Sequence, residues 1–549
     1  MNQGIENRIL ILILVFIAIG LLVWGRFFYL MVVRHDYYLA KAKILTATSS
    51  IEPRGSVYLT DKDNLPLAAA LNKEFSLVYA SPVKIKNPED IAKKLAPILE
   101  IDEAILLEKL KKANDPYEIL KRKVSDEIVN SIKALNETGI NIADETLRYY
   151  PNGLYLSHIT GFLGFNKDGQ LAGQYGLEEF YDKELSGTTD SSDLVLTIDS
   201  AIQAQAGIIL DQLIFDWRAS GGSIIVMNPK NGEILAMISL PDFDANKYSE
   251  TKNKSIFMNP ATLRRYEPGS VFKPITMAIG IETGAITPET KYYNSGTVTI
   301  NGKVISNSLP DKILGWQSMT MVLEQSLNTG AIFIEEQVPK NVFLKYLKDF
   351  GINGKTGVDV AEISGDLSVL SSGRDINFAT ASFGQGVAVT PLGLIRALAA
   401  IANGGKLVKP HLVSKIISRS GEIYEEGNNE APKQVISAGT SAKLINMMIK
   451  VIENGSGRQA QVPGYTIAGK TGTAQVPDLQ KGGYKDEYIH TFVAFAPAYD
   501  PKFIALIKLD NPRGVRFAEN TVVPVFKDLA KFIFSYYQIP PDKPVESAQ

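Results

Sequence analysis

The stretch GYTIAGKTGTAQ, residues 464–475, decides how the second half of this chain folds. Its first eight residues match G-x-x-x-x-G-K-[ST], the pattern of a phosphate-binding loop. Such a loop needs a buried strand before it and a helix after it, so that backbone N–H groups face the phosphates. The preceding residues, ENGSGRQAQVPGY, are instead polar and rich in glycine, and Gly472 and Pro477 interrupt any following helix. We therefore reject the phosphate-binding interpretation and predict a strand over residues 465–474.

A serine–lysine pair lies far upstream of this strand, in YEPGSVFKP. Ser270 and Lys273 are three residues apart, so on a helix they share one face. A lysine in this place can activate the serine as a base if burial and a nearby cation lower its pKa. A Pro-Gly pair precedes Ser270 and places it at the predicted helix N-terminus, where amide groups stabilise a developing oxyanion. Taken alone, S-x-x-K is common by chance and marks an ordinary helix start.

Two further motifs extend this pair to a possible acyl-serine site. In EQSLNTGA, the Ser326 hydroxyl can relay a proton between two lysines, and the Asn328 amide can hold a substrate carbonyl, although such a motif is usually a cap or turn. At a strand edge, Lys470 and the threonine hydroxyls of KTGT can bind a carboxylate, and Gly472 lets a substrate approach closely. The three motifs stand in order, 56 and then 144 residues apart, which is the signature of penicillin-interacting serine enzymes.

Composition narrows the alternatives. The chain has 549 residues, too many for one ordinary core, so two or more domains are expected. Lys and Arg number 57 against 59 Asp and Glu, and no long basic run exists, which argues against a nucleic-acid partner. There is no cysteine, which excludes disulfides, cysteine nucleophiles and thiolate metal sites. None of the four histidines lies in a catalytic-looking motif, so an acyl-serine site here needs another base.

The N-terminus carries an apolar run, ILILILVFIAIGLLVWG over residues 9–25, between Arg8 and Arg26. With the FFYLMVV that follows, it is adequate for a membrane-spanning helix of roughly 20 residues. No small-residue cleavage site is clear, so we expect an uncleaved anchor over residues 9–33 instead of a signal peptide. More positive charges follow this run than precede it, which by the positive-inside rule would leave the bulk of the chain in the cytoplasm.

The rest of the chain mixes helix and strand patterns. A helix start is predicted at Asn87, followed by acidic residues in the first turn. A hairpin is predicted around residues 228–232, with late strands over 488–498 and 502–512 and a closing helix over 526–539. Helix-like segments lie between the hairpin and the late strands, so we predict an antiparallel sheet with helices packed on it.

The chain resembles the class B, monofunctional penicillin-binding proteins over most of its length. RRYEPGSVFKP (264–274) is similar to the nucleophile box of that family, and AGKTGTAQ followed by TFVAFAPAYDP is similar to its third motif and next strand. Two blocks between them, ASFGQGVAVTPLGL and IANGGKLVKPHLV, and the upstream PRGSVYLTDKDNLPLA, RYYPNG and GQYGLEEFYDKELSG also resemble family motifs. The pedestal motif departs from the usual Asp-Arg-Asn-Gly at residues 61–64, which affects no catalytic position.

The resemblance implies a peptidoglycan D-Ala-D-Ala transpeptidase that forms an acyl-serine, releases D-Ala and passes the acyl group to an amine of a neighbouring stem. It implies no metal and no organic cofactor. Backbone N–H groups of Ser270 and Thr473 would form the oxyanion hole. By this resemblance, Ser270 is the nucleophile, Lys273 is the general base, and Ser326 shuttles protons between Lys273 and Lys470. Asn328 positions the amide carbonyl of the donor stem. The terminal carboxylate is bound by Lys470, Thr471 and Thr473, and Gly472 lets the substrate approach the strand closely.

The implied fold is an α/β multidomain one: an N-terminal transmembrane helix, an elongated α+β pedestal, and a transpeptidase domain of the penicillin-binding and serine β-lactamase type. The predicted boundaries are a cytoplasmic tail over 1–8, the anchor over 9–33, a pedestal for dimerisation or partner docking over 34–215, the transpeptidase domain over 216–540, and a flexible tail over 541–549.

The implied partners are peptidoglycan stems on lipid-linked glycan strands, β-lactams as inhibitors, a membrane glycosyltransferase of the SEDS type and division proteins. The catalytic domain is expected outside the cell membrane, against the charge bias at the anchor.

Several alternatives stay open beside this interpretation. A β-lactamase would need neither anchor nor pedestal, a β-lactam receptor would be expected to carry more membrane spans, and a bifunctional enzyme would need acidic glycosyltransferase residues before residue 220. A non-catalytic scaffold would not need the complete motif set. Between the division and elongation types, the length, the segment GTVTINGKVISN and the ending NTVVPVFKDLAKFIFSYYQIPP favour the division type.

Overall fold

A computed structural model describes residues 3–33, 54–112, 115–151, 155–167, 170–187, 191–309, 311–424, 431–478 and 480–544. By backbone contacts the chain separates into two compact units, Met1–Arg54 with Asn72–Tyr149, and Gly55–Leu71 with Tyr150–Gln549. The domain boundaries inferred from the sequence stay a prediction.

The secondary structure is mixed throughout the described residues. In chain order the helices are α1 (Gln3–Phe28), α2 (Pro88–Leu99), α3 (Glu103–Leu110), α4 (Asp126–Leu135), α5 (Ser157–Thr160), α6 (Gly176–Phe180), α7 (Asp182–Leu185), α8 (Ser200–Trp217), α9 (Pro260–Leu263), α10 (Lys273–Glu282), α11 (Met319–Glu324), α12 (Asn328–Glu336), α13 (Lys340–Asp349), α14 (Asp375–Ala381), α15 (Pro391–Ala402), α16 (Ala438–Glu453) and α17 (Val522–Tyr536). Short 3₁₀ turns cover Pro82–Lys84, Ala245–Glu250, Lys254–Phe257, Gly269–Phe272, Ser368–Ser372, Arg458–Ala460 and Ala518–Asn520, and a π-helical turn, Tyr29–Val33, follows α1.

The strands pair almost entirely in antiparallel fashion. They are β1 (Val57–Thr60), β2 (Leu67–Ala80), β3 (Glu118–Val124), β4 (Ile140–Tyr149), β5 (Phe162–Phe165), β6 (Leu171–Gln174), β7 (Ser192–Asp199), β8 (Gly221–Met227), β9 (Ile234–Leu240), β10 (Lys291–Asn294), β11 (Thr297–Ile300), β12 (Lys303–Ser306), β13 (Gly315–Ser318), β14 (Lys406–Leu407), β15 (Val413–Ser418), β16 (Ile423–Tyr424), β17 (Lys433–Gln434), β18 (Ala468–Pro477), β19 (Tyr484–Ala496) and β20 (Phe503–Asp510).

Helix α1 carries the apolar run found in the sequence. The segment Arg8–Val32 has 25 residues and contains an 18-residue window with a mean hydropathy of 2.7, none of which is buried in the protein. It is therefore long and apolar enough to cross the hydrocarbon core of a bilayer, and it is compatible with a single-pass membrane anchor.

The first unit has a small core of its own, made by α2, α3 and α4 with β3 and the later residues of β2. Ile91, Leu95 and Leu99 recur every four residues along α2, so one face of that helix is apolar and buried. The predicted start of α2 is observed, because the Asn87 side chain caps it by accepting the N–H of Asp90 at 3.4 Å.

The second unit is built on a five-stranded sheet in the order β18-β19-β20-β8-β9, in which each neighbouring pair is antiparallel. Successive residues of a strand point to opposite faces. Phe492 and Ala494 of β19 accordingly join the apolar cluster that contains α8 and α17, whereas Val493 and Phe495 join the cluster that contains α10, α15 and α16. Helices thus cover both faces of the sheet, as predicted from the strand and helix order.

The predicted elements of this sheet are observed with small shifts in their bounds. Strands β8 and β9 form the hairpin, and β19, β20 and α17 match the late strands and the closing helix. Strand β18 begins three residues later than predicted, because Tyr465 donates its backbone N–H to Val462 in a turn. A strand, not a helix, contains and follows Lys470, which confirms the rejection of a phosphate-binding loop.

The place of β18 in the sheet matters for the site. It stands at the end of the strand order and pairs along its length with β19. The other side of the KTGT segment therefore faces the elements that carry the upstream motifs.

A separate sheet in the same unit pairs β16, β15, β7, β1 and the first residues of β2.

Candidate active site

The predicted nucleophile lies in the 3₁₀ turn Gly269–Phe272, directly before α10. Gly269 has φ of 62°, which favours glycine, and its N–H donates to Gly384 at 3.0 Å. A Cβ atom at Gly269 would lie 3.1 Å from the Thr473 carbonyl oxygen and from the Ala474 Cβ. The turn is therefore seated directly against β18, which brings Ser270 beside the KTGT segment.

Lys273, one turn after Ser270, is 1% exposed and reaches across to the second motif. Its amine is 3.1 Å from Ser270 Oγ, 2.5 Å from the Ser326 carbonyl oxygen, 3.3 Å from Ser326 Oγ and 2.8 Å from Asn328 Oδ1. Ser326 adopts φ of 56°, a left-handed conformation that is uncommon for a residue with a side chain. This conformation lies in the connection between α11 and α12, where Ser326 directs both its carbonyl and its hydroxyl oxygen to the lysine. Uncommon backbone geometry of this kind clusters at functional sites.

Lys470 reaches the same hydroxyl from β18. It is 0% exposed, and its amine is 3.0 Å from Ser326 Oγ and 3.0 Å from the Thr471 carbonyl oxygen. The Ser326 hydroxyl thus lies between two buried amines. The structure brings together the three motifs that the sequence singled out.

The environment of the two amines lowers the pKa of both. Burial, together with the charge of Lys470, holds the pKa of Lys273 well below its usual value of 10.5. Burial alone lowers the pKa of Lys470 to about 7. Within the described part of the chain, neither amine has a carboxylate at ion-pair distance, so hydroxyl, amide and carbonyl oxygens are what stabilise any charge on them.

A cavity of about 320 Å³ opens over this cluster, and Ser270, Ser326, Thr471 and Thr473 all line it. Three contacts around the cavity were not predicted from the sequence. The Asn328 amide nitrogen donates to the Ser306 carbonyl at 2.9 Å, the Ala518 N–H donates to Thr473 Oγ1 at 3.1 Å, and Ser456 Oγ is 2.6 Å from Thr471 Oγ1. The motif spacing holds no signal for these contacts, because the three partners come from separate segments outside the motifs: the end of β12, the 3₁₀ turn at Ala518 and the loop after α16.

The missing side chain of Gly472 faces a different neighbour from the one expected from the sequence. The sequence assigned its missing side chain to close substrate approach along the strand. In the structure, a Cβ at this position would lie 2.8 Å from the Pro268 carbonyl oxygen and 3.0 Å from Val271 Cβ. The side of Gly472 that lacks a Cβ therefore faces the nucleophile turn, and the glycine permits close packing of β18 against that turn.

Two regions of the chain match families of known proteins. Residues 222–531 match the penicillin binding protein transpeptidase domain, and residues 50–197 match the penicillin-binding protein dimerisation domain. The chain belongs to the class B penicillin-binding proteins.

Relatives of this penicillin-binding protein match it over nearly its whole length. Stage V sporulation protein D of Bacillus subtilis is 32% identical over 564 residues, which cover 96% of this chain and 86% of the relative. The peptidoglycan D,D-transpeptidase FtsI of Escherichia coli is 29% identical over 519 residues, which cover 88% and 84%.

Solved structures show the same fold. Penicillin binding protein 3 of Mycobacterium tuberculosis, in complex with aztreonam, superposes with a TM-score of 0.71 at 25% identity and covers 90% of this chain and 98% of its own. Penicillin binding protein 2X of Streptococcus thermophilus is similar in fold, with a TM-score of 0.73 at 23% identity over 89% of this chain and 81% of its own. The predicted family, fold class, penicillin binding and serine-type D,D-transpeptidase activity in cell-wall synthesis are confirmed.

Proposed function

We propose that this penicillin-binding protein cross-links peptidoglycan stems through an acyl ester on Ser270. The observation that carries the proposal is the unbroken chain of contacts from Ser270 through Lys273 and Ser326 to Lys470. A nucleophile within hydrogen-bond reach of a base, itself oriented by further groups, is the arrangement that covalent catalysis needs.

In the first step, Ser270 Oγ attacks the carbonyl carbon of the D-Ala-D-Ala peptide bond, and its proton passes to the neutral amine of Lys273. The lowered pKa of Lys273 leaves that amine free to accept the proton. The C–N bond then breaks, and the leaving amine of D-Ala takes a proton from the Ser326 hydroxyl, which is restored from the lysines. The same groups work in reverse when the amine of a neighbouring stem attacks the ester and releases Ser270.

Binding groups surround this centre. We assign the terminal carboxylate to Lys470 and the hydroxyls of Thr471 and Thr473, since both threonines line the cavity beside Ser270. One N–H of the Asn328 amide donates to Ser306, so the second can donate to the donor amide carbonyl.

The backbone N–H groups of Ser270 and Thr473 are the proposed oxyanion donors. Ser270 lies in the turn that starts α10, and Thr473 lies on the edge strand that borders the cavity. Amide donors fixed in this way stabilise the negative charge that develops in acyl transfer.

Replacement of the nucleophile tests the central assignment. Ser270→Ala should abolish covalent labelling by a fluorescent penicillin, because it removes the hydroxyl that lies at the start of α10, 3.1 Å from the Lys273 amine, and that we assign as the nucleophile. Ser308→Ala, which removes another serine that lines the cavity, should label like the wild type. Labelling that persists in Ser270→Ala would contradict the assignment, and a labelled wild-type species lost within seconds would favour a β-lactamase.

The two lysine pKa values predict a bell-shaped pH profile for acylation. Lys273 must be neutral to accept a proton, so the rate should rise on the acid side as the pH passes the pKa of Lys273, which burial and the charge of Lys470 hold well below 10.5. Lys470 must be charged to bind a carboxylate, so the rate with benzylpenicillin should fall as pH rises through about 7. The methyl ester of benzylpenicillin should lack this alkaline fall, and a rate that rises steadily to alkaline pH with both ligands would exclude these roles.

We place residues 9–33 as the anchor, residues 34–215 as the pedestal and residues 216–540 as the transpeptidase domain, with the tail 1–8 in the cytoplasm and the catalytic domain outside. The location of the peptidoglycan substrate supports this side, because long domains are translocated despite a local charge bias.

The side of the membrane can be tested because the chain has no cysteine. Ser420→Cys creates an exposed thiol in the second unit, and Asn2→Cys adds a cysteine before the anchor in the sequence. In intact spheroplasts a membrane-impermeant maleimide should label Ser420→Cys, whereas Asn2→Cys should label only after permeabilisation. The reverse pattern would place the catalytic domain in the cytoplasm.

We further propose a septal role, with a SEDS-type membrane glycosyltransferase and division proteins as partners. The segment over residues 296–307 and the C-terminal sequence support this subtype, and no glycosyltransferase motif precedes residue 220. A functional fluorescent fusion should concentrate at the division site. An even distribution along the side wall would instead favour an elongation role.

A further inference from the structure

Both threonines of the KTGT segment line the cavity, and the hydroxyl of each contacts a hydrogen-bonding group of another lining residue. For Thr473 that group is the Ala518 backbone amide, whose nitrogen is 3.1 Å from Thr473 Oγ1. A backbone N–H can only donate, so the Thr473 oxygen acts as an acceptor in this contact. The single hydroxyl proton of Thr473 is therefore left for an acceptor in the cavity.

For Thr471 the corresponding group is a side chain. Ser456 Oγ lies 2.6 Å from Thr471 Oγ1, and the amine of Lys470 lies at 3.4 Å from the same oxygen. Two hydroxyls at this distance share one proton, and the one that accepts keeps its own proton for another partner. If Ser456 donates, the Thr471 proton is free to point into the cavity, as that of Thr473 is.

The loop that carries Ser456 is held firmly. The N–H groups of Gly455 and Gly457 both donate to the Val451 carbonyl at 3.1 Å, at the end of α16. A Cβ at Gly455 would lie 2.3 Å from the Glu324 carbonyl oxygen, so the loop packs against the end of α11 without room for a side chain there. The Ser456 hydroxyl is thus presented to Thr471 by backbone contacts on both sides.

We propose that Ser456 is a positioning residue for carboxylate recognition: its hydroxyl donates to Thr471 Oγ1 and thereby directs the Thr471 proton to the terminal carboxylate of the donor stem. This inference rests on the proposed binding role of Thr471. Both threonines then donate their hydroxyl protons into the cavity, because Thr473 Oγ1 accepts from the Ala518 amide and Thr471 Oγ1 accepts from the Ser456 hydroxyl. A hydroxyl already directed at an anion loses less freedom when the anion binds.

The test measures acylation of the full chain in detergent by benzylpenicillin, which carries a carboxylate, and by its methyl ester, which does not. Ser456→Ala should lower the second-order rate constant for benzylpenicillin about tenfold, the usual effect of a weakened charge-assisted hydrogen bond. With the methyl ester the change should stay within about twofold. Ser420→Ala, which removes one partner of an exposed hydroxyl pair 2.7 Å apart, should change neither rate and is the matched control.

Two more variants test the route through Thr471. Ser456→Thr keeps the hydroxyl and should restore the rate with benzylpenicillin. In a Thr471→Val background, Ser456→Ala should cause no further loss, because the hydroxyl that it directs is already absent.

The outcomes separate this inference from the proposed function. Equal losses for both ligands would show a merely structural role for Ser456, and no loss for either would show that it has no role; both results overturn the inference. A Ser456→Thr variant that behaves like Ser456→Ala, or a full further loss in the Thr471→Val background, overturns it as well. None of these results affects the loss of labelling in Ser270→Ala, on which the proposed function depends.

Discussion

The site depends on the burial of two lysine amines around one serine hydroxyl. Removing an ammonium group from water costs several kcal/mol even in a relaxed protein interior, so a buried lysine tends to give up its proton. Two amines that share the Ser326 hydroxyl add mutual repulsion, and the charge of Lys470 further lowers the pKa of Lys273. The proposed division of work, with Lys273 accepting a proton and Lys470 carrying a charge, rests on this difference in environment.

Packing within the second unit buries both amines and sets their positions. Helices cover both faces of the central sheet, and the KTGT residues of β18 are largely buried although β18 is an edge strand. The nucleophile turn packs against β18 through Gly269 and Gly472, where an added Cβ would lie 3.1 Å from the Thr473 carbonyl oxygen and 2.8 Å from the Pro268 carbonyl oxygen, respectively. Because Ser270, Ser326 and Lys470 come from three separate segments, their distances are set by this packing and not by any one element.

Local features of this protein were predictable from its sequence, whereas contacts between distant segments were not. The three motifs, the hairpin β8–β9 and the strand nature of β18 were predictable, because local patterns of apolar residues, glycine and proline carry them. Gly472 was assigned to substrate approach, and its contact with Val271 could not be foreseen, since the two residues are far apart in the chain. No role was predicted for Ser456, because a serine between two glycines is typical of an ordinary turn.

The sequence by itself determined the family, the apolar N-terminal helix and the order of the motifs, since these are properties of residue type and spacing along one chain. Only the tertiary structure decided which atoms meet: that the Ser326 hydroxyl lies between two buried amines, that Gly472 faces the nucleophile turn, and that the Ser456 hydroxyl contacts that of Thr471. The physical reason is that burial, pKa and hydrogen-bond direction depend on neighbours brought in from distant segments. Spacing along the chain does not contain that information.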